Sequence, residues 1–237
     1  MGSRGAARAL NGAGLSSKQR TALAAEFGRR AEWAAAIALI DAAWLRGEEV
    51  HAATCGAAVG SCQAGARWQH ALGLLTAMGQ QRGRANAACL LLGIGACGRE
   101  SQWQQALAAL SPVLPMPCDS TGFAMPMPEP DAACFNAAVA ACARGAAWAA
   151  ALATVAWMVV RRVQPTAVSL NSAISAAEKA SQWSWSLELL TRGPKMLSLP
   201  GRDTVGVNAA MSACGRASQE AVGAFATAIW FNAALAM

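Results

Sequence analysis

A chain of 237 residues with a formal net charge of +6 and a pI near 9.1 suits a polyanionic partner without requiring one. Hydrophobic residues make up 55% and charged residues 14%, with alanine dominant, which excludes a disordered chain and fits closely packed helices joined by short turns. The eight cysteines come with neither a secretory leader nor a CxxC pair, so a disulfide framework and a zinc ribbon are both disfavoured.

The chain opens with an N-terminal extension, residues 1–16. Arg4 and Arg8, followed by Lys18 and Arg20, lie among alanines and serines with no acid before Glu26. That composition fits an organelle transit peptide and equally a frayed helical cap. It sets an expectation of a mitochondrial or chloroplast address, with the cytoplasm otherwise. Ala6 stands where myristoylation would want Ser or Thr.

From residue 17 a single spacing organises the chain. Trp33, Trp68, Trp103, Trp148 and Trp183 are separated by 35, 35, 45 and 35 residues, and related words surround them: GARWQHALGLL, ESQWQQALAAL, GAAWAAALATV and ASQWSWSLELL. Such a period marks a repeat array. Counting back from each tryptophan gives repeats at 17–51, 52–86, 87–131, 132–166 and 167–203, then a partial one at 204–237 in which Glu220 replaces the tryptophan.

Within a repeat, the fourth, eighth and eleventh places are apolar: Leu90, Ile94 and Cys97; Phe135, Val139 and Cys142; Val207, Met211 and Cys214. This is one face of a helix. After the tryptophan, Ala71, Leu72 and Leu75, or Ala106, Leu107 and Leu110, give a second amphipathic helix. Short turns such as Ala64-Gly65-Ala66 and Ala180-Ser181-Gln182 make the two antiparallel. The predicted fold is all-α, a right-handed α-solenoid superhelix of stacked antiparallel helical hairpins, five repeats plus a partial one.

The eleventh-place cysteines, Cys62, Cys97, Cys142 and Cys214, share their place with Phe27 and Ala177, so they are expected to fill seams between helices. GIGACG at 93–98 superficially resembles a dinucleotide turn but has no preceding strand. Residues 112–130 hold six of the nine prolines, cannot continue a helix, and read as a loop inserted into the third repeat. The uncharged run 145–160 is only 16 residues long and carries a repeat's tryptophan, so it is expected to be a buried solenoid helix and no membrane span is predicted. His70 is expected at the surface.

At 100° per residue, the second, fifth, ninth and thirteenth places share a face about 125° from the core stripe. The thirteenth place carries Arg29, Arg99, Arg144, Lys179 and Arg216, with Ala64 the exception. A basic residue there complements the helix dipole, and a row of them also suits a phosphate backbone. The fifth place carries Asn136, Asn171 and Asn208 in consecutive repeats, and a side-chain amide suits a base edge better than it suits a helix.

The 35-residue hairpin, the segment VSLNSAISAAEKASQW with SLELL, and the endings Val163-Gln164-Pro165-Thr166 and Pro128-Glu129-Pro130-Asp131 together resemble the pentatricopeptide repeat family over residues 17–237, most clearly over 132–216. The tetratricopeptide family has a period of 34 and lacks this punctuation. The resemblance implies single-stranded RNA as partner, one nucleotide per repeat, read by the fifth and last residues. The pairs would be Thr21 with His51, Gly56 with Asn86, Leu91 with Asp131, Asn136 with Thr166, and Asn171 with Asp203; the last matches a uracil-preferring combination.

The resemblance also implies a base-wedging residue at the second place, where Val168 and Val205 fit and Lys18, Ala53, Ala88 and Ala133 fit poorly. The thirteenth-place cations would contact phosphates. Gly56 and Leu91 cannot hydrogen-bond a base through their side chains, so half of the array reads poorly.

The sequence has no HxE with CxxC, no GxxxxGK[ST] and no GxSxG, and its 13 acidic residues are scattered. The expectation is a non-enzyme without cofactor, metal, membrane or small-molecule substrate, with protein partners supplying any catalysis. It would act in organellar RNA processing, stability or editing. The alternative is a protein-interaction scaffold whose RNA code has decayed. A third expectation is a piece of a longer array, because Ala228, Ile229, Trp230 and Phe231 would be left partly bare at the end, favouring oligomers.

Overall fold

The computed structural model describes residues 16–80, 86–110, 130–197 and 204–216. Every element in these stretches is helical: α1 (Ser17–Arg29), α2 (Trp33–Leu45), α3 (Ala52–Ala64), α4 (Trp68–Gln80), α5 (Ala87–Arg99), α6 (Trp103–Leu110), α7 (Ala132–Arg144), α8 (Trp148–Val160), α9 (Ala167–Lys179), α10 (Trp183–Met196) and α11 (Thr204–Arg216). Each odd-numbered helix starts on the first residue of a repeat, and each even-numbered one starts on a repeat's tryptophan.

The first helices begin where a short polar side chain can cap them. Ser16, Asn86, Asp131 and Thr166 accept from the backbone N–H three residues on, which satisfies one of the orphan donors of a helix N-terminus. Ser16 with Gln19, and Thr166 with Ser169, form reciprocal capping boxes. The sequence GIGACG lies inside α5, as its lack of a preceding strand requires.

Every described hairpin turns in the same way. The fifteenth residue is left-handed: Ala31 (φ 54°), Ala66 (53°), Ser101 (55°), Ala146 (52°) and Ser181 (57°). The next N–H reaches back to the eleventh-place carbonyl, as in Arg67 to Cys62, Gln102 to Cys97, Ala147 to Cys142 and Gln182 to Ala177, each 2.9 Å. This is a Schellman closure made without glycine at its left-handed position. A side chain in that conformation costs about 1–2 kcal/mol, offset in part by the lower unfolded-chain entropy of a non-glycine residue. Ser181→Gly is therefore expected to stabilise the chain by about 0.5–1 kcal/mol, whereas Ser184→Gly inside α10 destabilises it by a similar amount. Urea midpoints of the two variants check this.

The chain divides into two compact units, Met1–Pro130 and Asp131–Met237. In the first, α1, α3 and α5 pack side by side, and α2, α4 and α6 each cover their own hairpin partner. In the second, α7, α9 and α11 form the row, with α8 and α10 covering it. The core lies between the two layers: Ala24, Leu39 and Ile40 at one end of the first unit, Val59, Cys62, Leu75, Leu90, Ile94 and Leu110 further along, and Phe135, Val139, Met158 and Ile174 in the second.

The tryptophans join neighbouring repeats. Trp33 lies 4.6 Å from the ring of His70 and under the Arg67 guanidinium at 5.3 Å, and it packs so closely on the next turn that a Cβ at Gly65 would lie 2.9 Å from its ring. In the second unit Trp148 meets Trp185, the residue equivalent to His70, at 5.6 Å. Trp33 and Trp148 each open one second helix and stack on the third residue of the next, a contact that recurs at the same places of the repeat.

Three expectations need amendment. Arg20, at the fourth place of the first repeat, is buried as the apolar residues there are, and it is held by Glu48 at 2.6 Å, with Arg46 also 3.4 Å from that carboxylate. A charge at this depth requires such a partner. Met211, expected in the core stripe, is 49% exposed, while Val207 on the same helix packs against the buried cluster of Leu170, Ile174, Leu190 and Ala210. The run 145–160 forms α8, but only Ala151, Thr154, Val155 and Met158 are buried, and Val159 and Val160 lie on an exposed face. It is amphipathic rather than buried all round. No described helix is long and apolar enough to cross a membrane.

The described cysteines are all free and buried, as expected for seam fillers. Burial pushes the thiols of Cys55, Cys97 and Cys134 up to about 12, and those of Cys62 and Cys142 to about 11. A raised thiol pKa stabilises the fold fully below the ordinary value of 9.0, and that contribution is lost as pH rises toward the folded values. Two outcomes are expected: iodoacetamide at pH 8 leaves these five thiols unmodified in the native chain, read residue by residue in the mass spectrum, and helicity collapses between about pH 9 and 12.

Residues 1–15 of the N-terminal extension, most of the loop 112–130, Asp203, the Arg216 side chain and the closing residues Ala228, Ile229, Trp230 and Phe231 lie outside the described residues.

Candidate nucleic-acid interface

In each compact unit the second, fifth, ninth and thirteenth places share the side of that unit's first-helix row that its second helices leave uncovered. Every second-place residue is exposed: Lys18, Ala53, Ala88, Ala133, and Val168 and Val205 at 58% each. Arg29, Arg99, Arg144 and Lys179 are exposed at the C-terminal ends of α1, α5, α7 and α9. They sit where the helix dipole favours cations, and the same exposure makes them available to a phosphate.

The fifth-place residues are half-buried, except for Asn208, which is exposed. In the second compact unit, the Asn136 amide nitrogen donates to Thr166 Oγ1 at 3.3 Å, so that a fifth residue and the last residue of its own repeat touch. The Ser169 hydroxyl donates to Asn136 Oδ1 at 2.5 Å. Asn171 faces the next first helix, its Oδ1 lying 2.7 Å from where a Cβ would stand on Gly206.

In the first unit the equivalent positions are chemically poorer. The Thr21 hydroxyl lies 2.7 Å from that of Thr54 and donates to the Ser17 carbonyl at 3.0 Å. Gly56 faces the Cys89 sulfur, 3.4 Å from its missing Cβ, and Leu91 has only carbon to offer.

Each described last-place residue also stands at the start of the next first helix. His51 precedes α3 without capping it through its side chain. Asn86 Oδ1 accepts from Cys89 N–H and Asp131 Oδ1 from Cys134 N–H, both at 2.9 Å, and Thr166 Oγ1 accepts from Ser169 N–H at 3.4 Å. The Cys134 N–H holds the Asp131 carboxyl below the ordinary carboxylate range. One lone pair of each is thus committed to the backbone. A base could still meet the amide nitrogen or the second Oδ1 lone pair of Asn86, or the second oxygen of Asp131.

The sequence reading passed over the third place of each repeat. Thr54, Cys89, Ser169 and Gly206 each lie against the fifth residue of the preceding repeat. Their shared register was legible in the sequence, but the side chains differ so much that no residue type repeats. Among the described residues no group of three or more His, Cys, Asp or Glu side chains could hold a metal.

Stacked helical hairpins presenting second-, fifth- and thirteenth-place side chains on one face define an α-solenoid repeat protein. More narrowly, the fold is that of the pentatricopeptide repeat. The chain superposes on the pentatricopeptide repeat protein PPR10 from maize with a TM-score of 0.63 at 16% identity, covering 91% of this chain and 30% of that one. The same protein in complex with an 18-nt psaJ RNA element matches with a TM-score of 0.63 at 19% identity, over 85% of this chain and 28% of that one. The PPR domain of Arabidopsis thaliana protein-only RNase P 1, solved in complex with tRNA, matches with a TM-score of 0.57 at 13% identity, over 81% of this chain and 93% of that domain. The chain therefore spans about 30% of the length of the maize protein. No family model and no curated protein matches the sequence.

Proposed function

We propose that the chain is a non-catalytic, sequence-selective binder of single-stranded RNA, acting on organellar transcripts in processing, stability or editing, with any chemistry supplied by protein partners. The observation that carries this reading is the Asn136–Thr166 contact at 3.3 Å, which brings a fifth and a last residue together. Beside it on the same face are the exposed Val168 and Lys179. An amide edge, an apolar wedge and a cation are the three groups needed to meet a base edge, a base plane and a phosphate. The solved neighbours with RNA in their complexes support the reading.

The proposed base readers are Asn136 with Thr166, Asn171 with Asp203, and Asn208, together with the last-place Asn86 and Asp131, whose fifth-place partners are Gly56 and Leu91. Val168 and Val205 are the wedges, and Arg29, Arg99, Arg144, Lys179 and Arg216 contact phosphates. Filter binding to poly(U) and poly(A) tests this: poly(U) should be preferred, and Asn171→Ala should lessen that preference. Equal retention of both polymers by the wild-type and variant chains would contradict it.

The first compact unit favours a second reading. Its fifth places, Thr21, Gly56 and Leu91, offer one already bonded hydroxyl, no side chain and an aliphatic one, which suits an extended peptide better than bases. Binding from a random peptide library with no RNA retained would replace the RNA reading by this protein-interaction scaffold.

A further inference from the structure

We propose that Ser169, the third residue of its repeat, is the positioning residue that sets which edge of the Asn136 amide, at the fifth place of the repeat before it, faces a bound base. This rests on the RNA-binding reading above.

An asparagine amide presents an acceptor on one side and two donors on the other, and a 180° flip exchanges them. A reader that flips freely accepts either kind of base edge and discriminates poorly. At Asn136 both ends of the amide are held. Oδ1 accepts from the Ser169 hydroxyl at 2.5 Å, and Nδ2 donates to Thr166 Oγ1 at 3.3 Å.

Ser169 is itself held. It is fully buried, its Oγ accepts from Thr166 N–H at 3.0 Å, and its own N–H donates to Thr166 Oγ1 at 3.4 Å. The flipped amide would bring an N–H against Ser169 Oγ and an oxygen against Thr166 Oγ1, so both hydroxyls would have to reverse together, Ser169 donating to Thr166 Oγ1, 3.2 Å away, and Thr166 donating to Asn136. The amide orientation is thereby coupled to the directions of two buried or half-buried hydroxyls. In the bonded orientation the second Nδ2 proton and the second lone pair of Oδ1 are left to address a base, each on a set side of the amide, so this repeat presents its donor and acceptor in one order.

The other repeats show the same register with different chemistry. Thr54 meets Thr21, hydroxyl to hydroxyl, at 2.7 Å. Cys89 lies against Gly56, which has nothing to orient. Gly206 has no side chain to offer Asn171, and a Cβ added there would lie 2.7 Å from Asn171 Oδ1. The two repeats with fifth-place asparagines at Asn136 and Asn171 thus differ in how their amides are set, although their fifth residues are identical.

The test has two arms, using the full chain as wild type, Ser169→Ala and Ser169→Thr. Threonine keeps the hydroxyl and already stands at the same place as Thr54. In the first arm each chain selects from a random-sequence RNA pool. In Ser169→Ala, one position of the enriched motif is expected to lose about tenfold in discrimination while the others and the total affinity change less than threefold, and Ser169→Thr should restore that position. A uniform affinity loss across the motif, or an unchanged motif, overturns the proposal.

The second arm needs no RNA. The Asn136 side-chain amide protons, followed by nitrogen-correlated NMR, should exchange with water about tenfold faster in Ser169→Ala than in wild type or Ser169→Thr. Equal exchange in all three chains overturns the positioning role. A wild-type chain that retains no RNA but shows this difference sinks the RNA reading while leaving the orientation itself established.

Discussion

Phe135→Ala is expected to remove about 3–5 kcal/mol of stability, the largest loss of any single substitution in the described core. Phe135 is 1% exposed at the fourth place of α7, and its ring meets Trp157 of α8 edge-on, with centroids 5.5 Å apart and planes at 82°. Truncation removes both the buried ring and an aromatic pair worth about 0.5–1.5 kcal/mol beyond its area. It also opens a cavity between layers that α7 and α8 cannot close without losing their seams to α9. The loss should be local, because a repeat touches only its neighbours. Urea unfolding followed by helicity gives its size, and amide hydrogen exchange its extent: α7 and α8 should lose protection while α3 and α5 keep most of theirs. A loss under 1 kcal/mol would mean that the fourth place is not a core position.

That expectation could be written from the sequence alone, because the fold here is legible in a spacing. Five tryptophans fix the register. The 100° step of a helix then places Leu90 and Ile94, or Phe135 and Val139, on one face, and those residues are buried. The interior left-handed turn was less legible: Ala31, Ala66, Ser101, Ala146 and Ser181 are not the residue types that advertise positive φ. They hold it because the eleventh-place carbonyl and the following N–H over-determine the turn.

The candidate site was legible in outline and not in wiring. Periodicity groups the fifth and thirteenth places on one face, but it says nothing about contacts between helices 35 residues apart, where the useful information lies. Asn136 and Asn171 are the same residue at the same place. What distinguishes them is the neighbour across the seam, a serine in one case and glycine in the other. Arg20 is a similar case: the pattern marks its place as apolar, and only the fold brings Glu48, 28 residues away, to neutralise it.

Neutralising Arg144 and Lys179 together should weaken binding to single-stranded RNA by about 10- to 30-fold near 0.1 M salt and flatten its salt dependence. If the five thirteenth-place cations each neutralise one phosphate, log K against log salt has a slope of about −3 to −4 on single strands, and each contact removed takes away about 0.7. The double variant Arg144→Gln, Lys179→Gln should therefore fall to a slope near about −2. The competing account, that these residues only complement the helix dipole at the ends of α7 and α9, predicts a different signature: about 0.3–1 kcal/mol of stability lost at each end, with the slope unchanged. Arg192→Gln separates site from bulk charge. Arg192 is exposed on α10, on the second-helix layer, and paired with Glu188 at 3.0 Å, so its loss removes one charge, half of what the double variant removes, but leaves the face intact. A drop in slope of about 0.7 for Arg192→Gln would mean that RNA responds to overall charge rather than to a row of thirteenth-place cations. An unchanged slope in the double variant would take the phosphate role away from both residues.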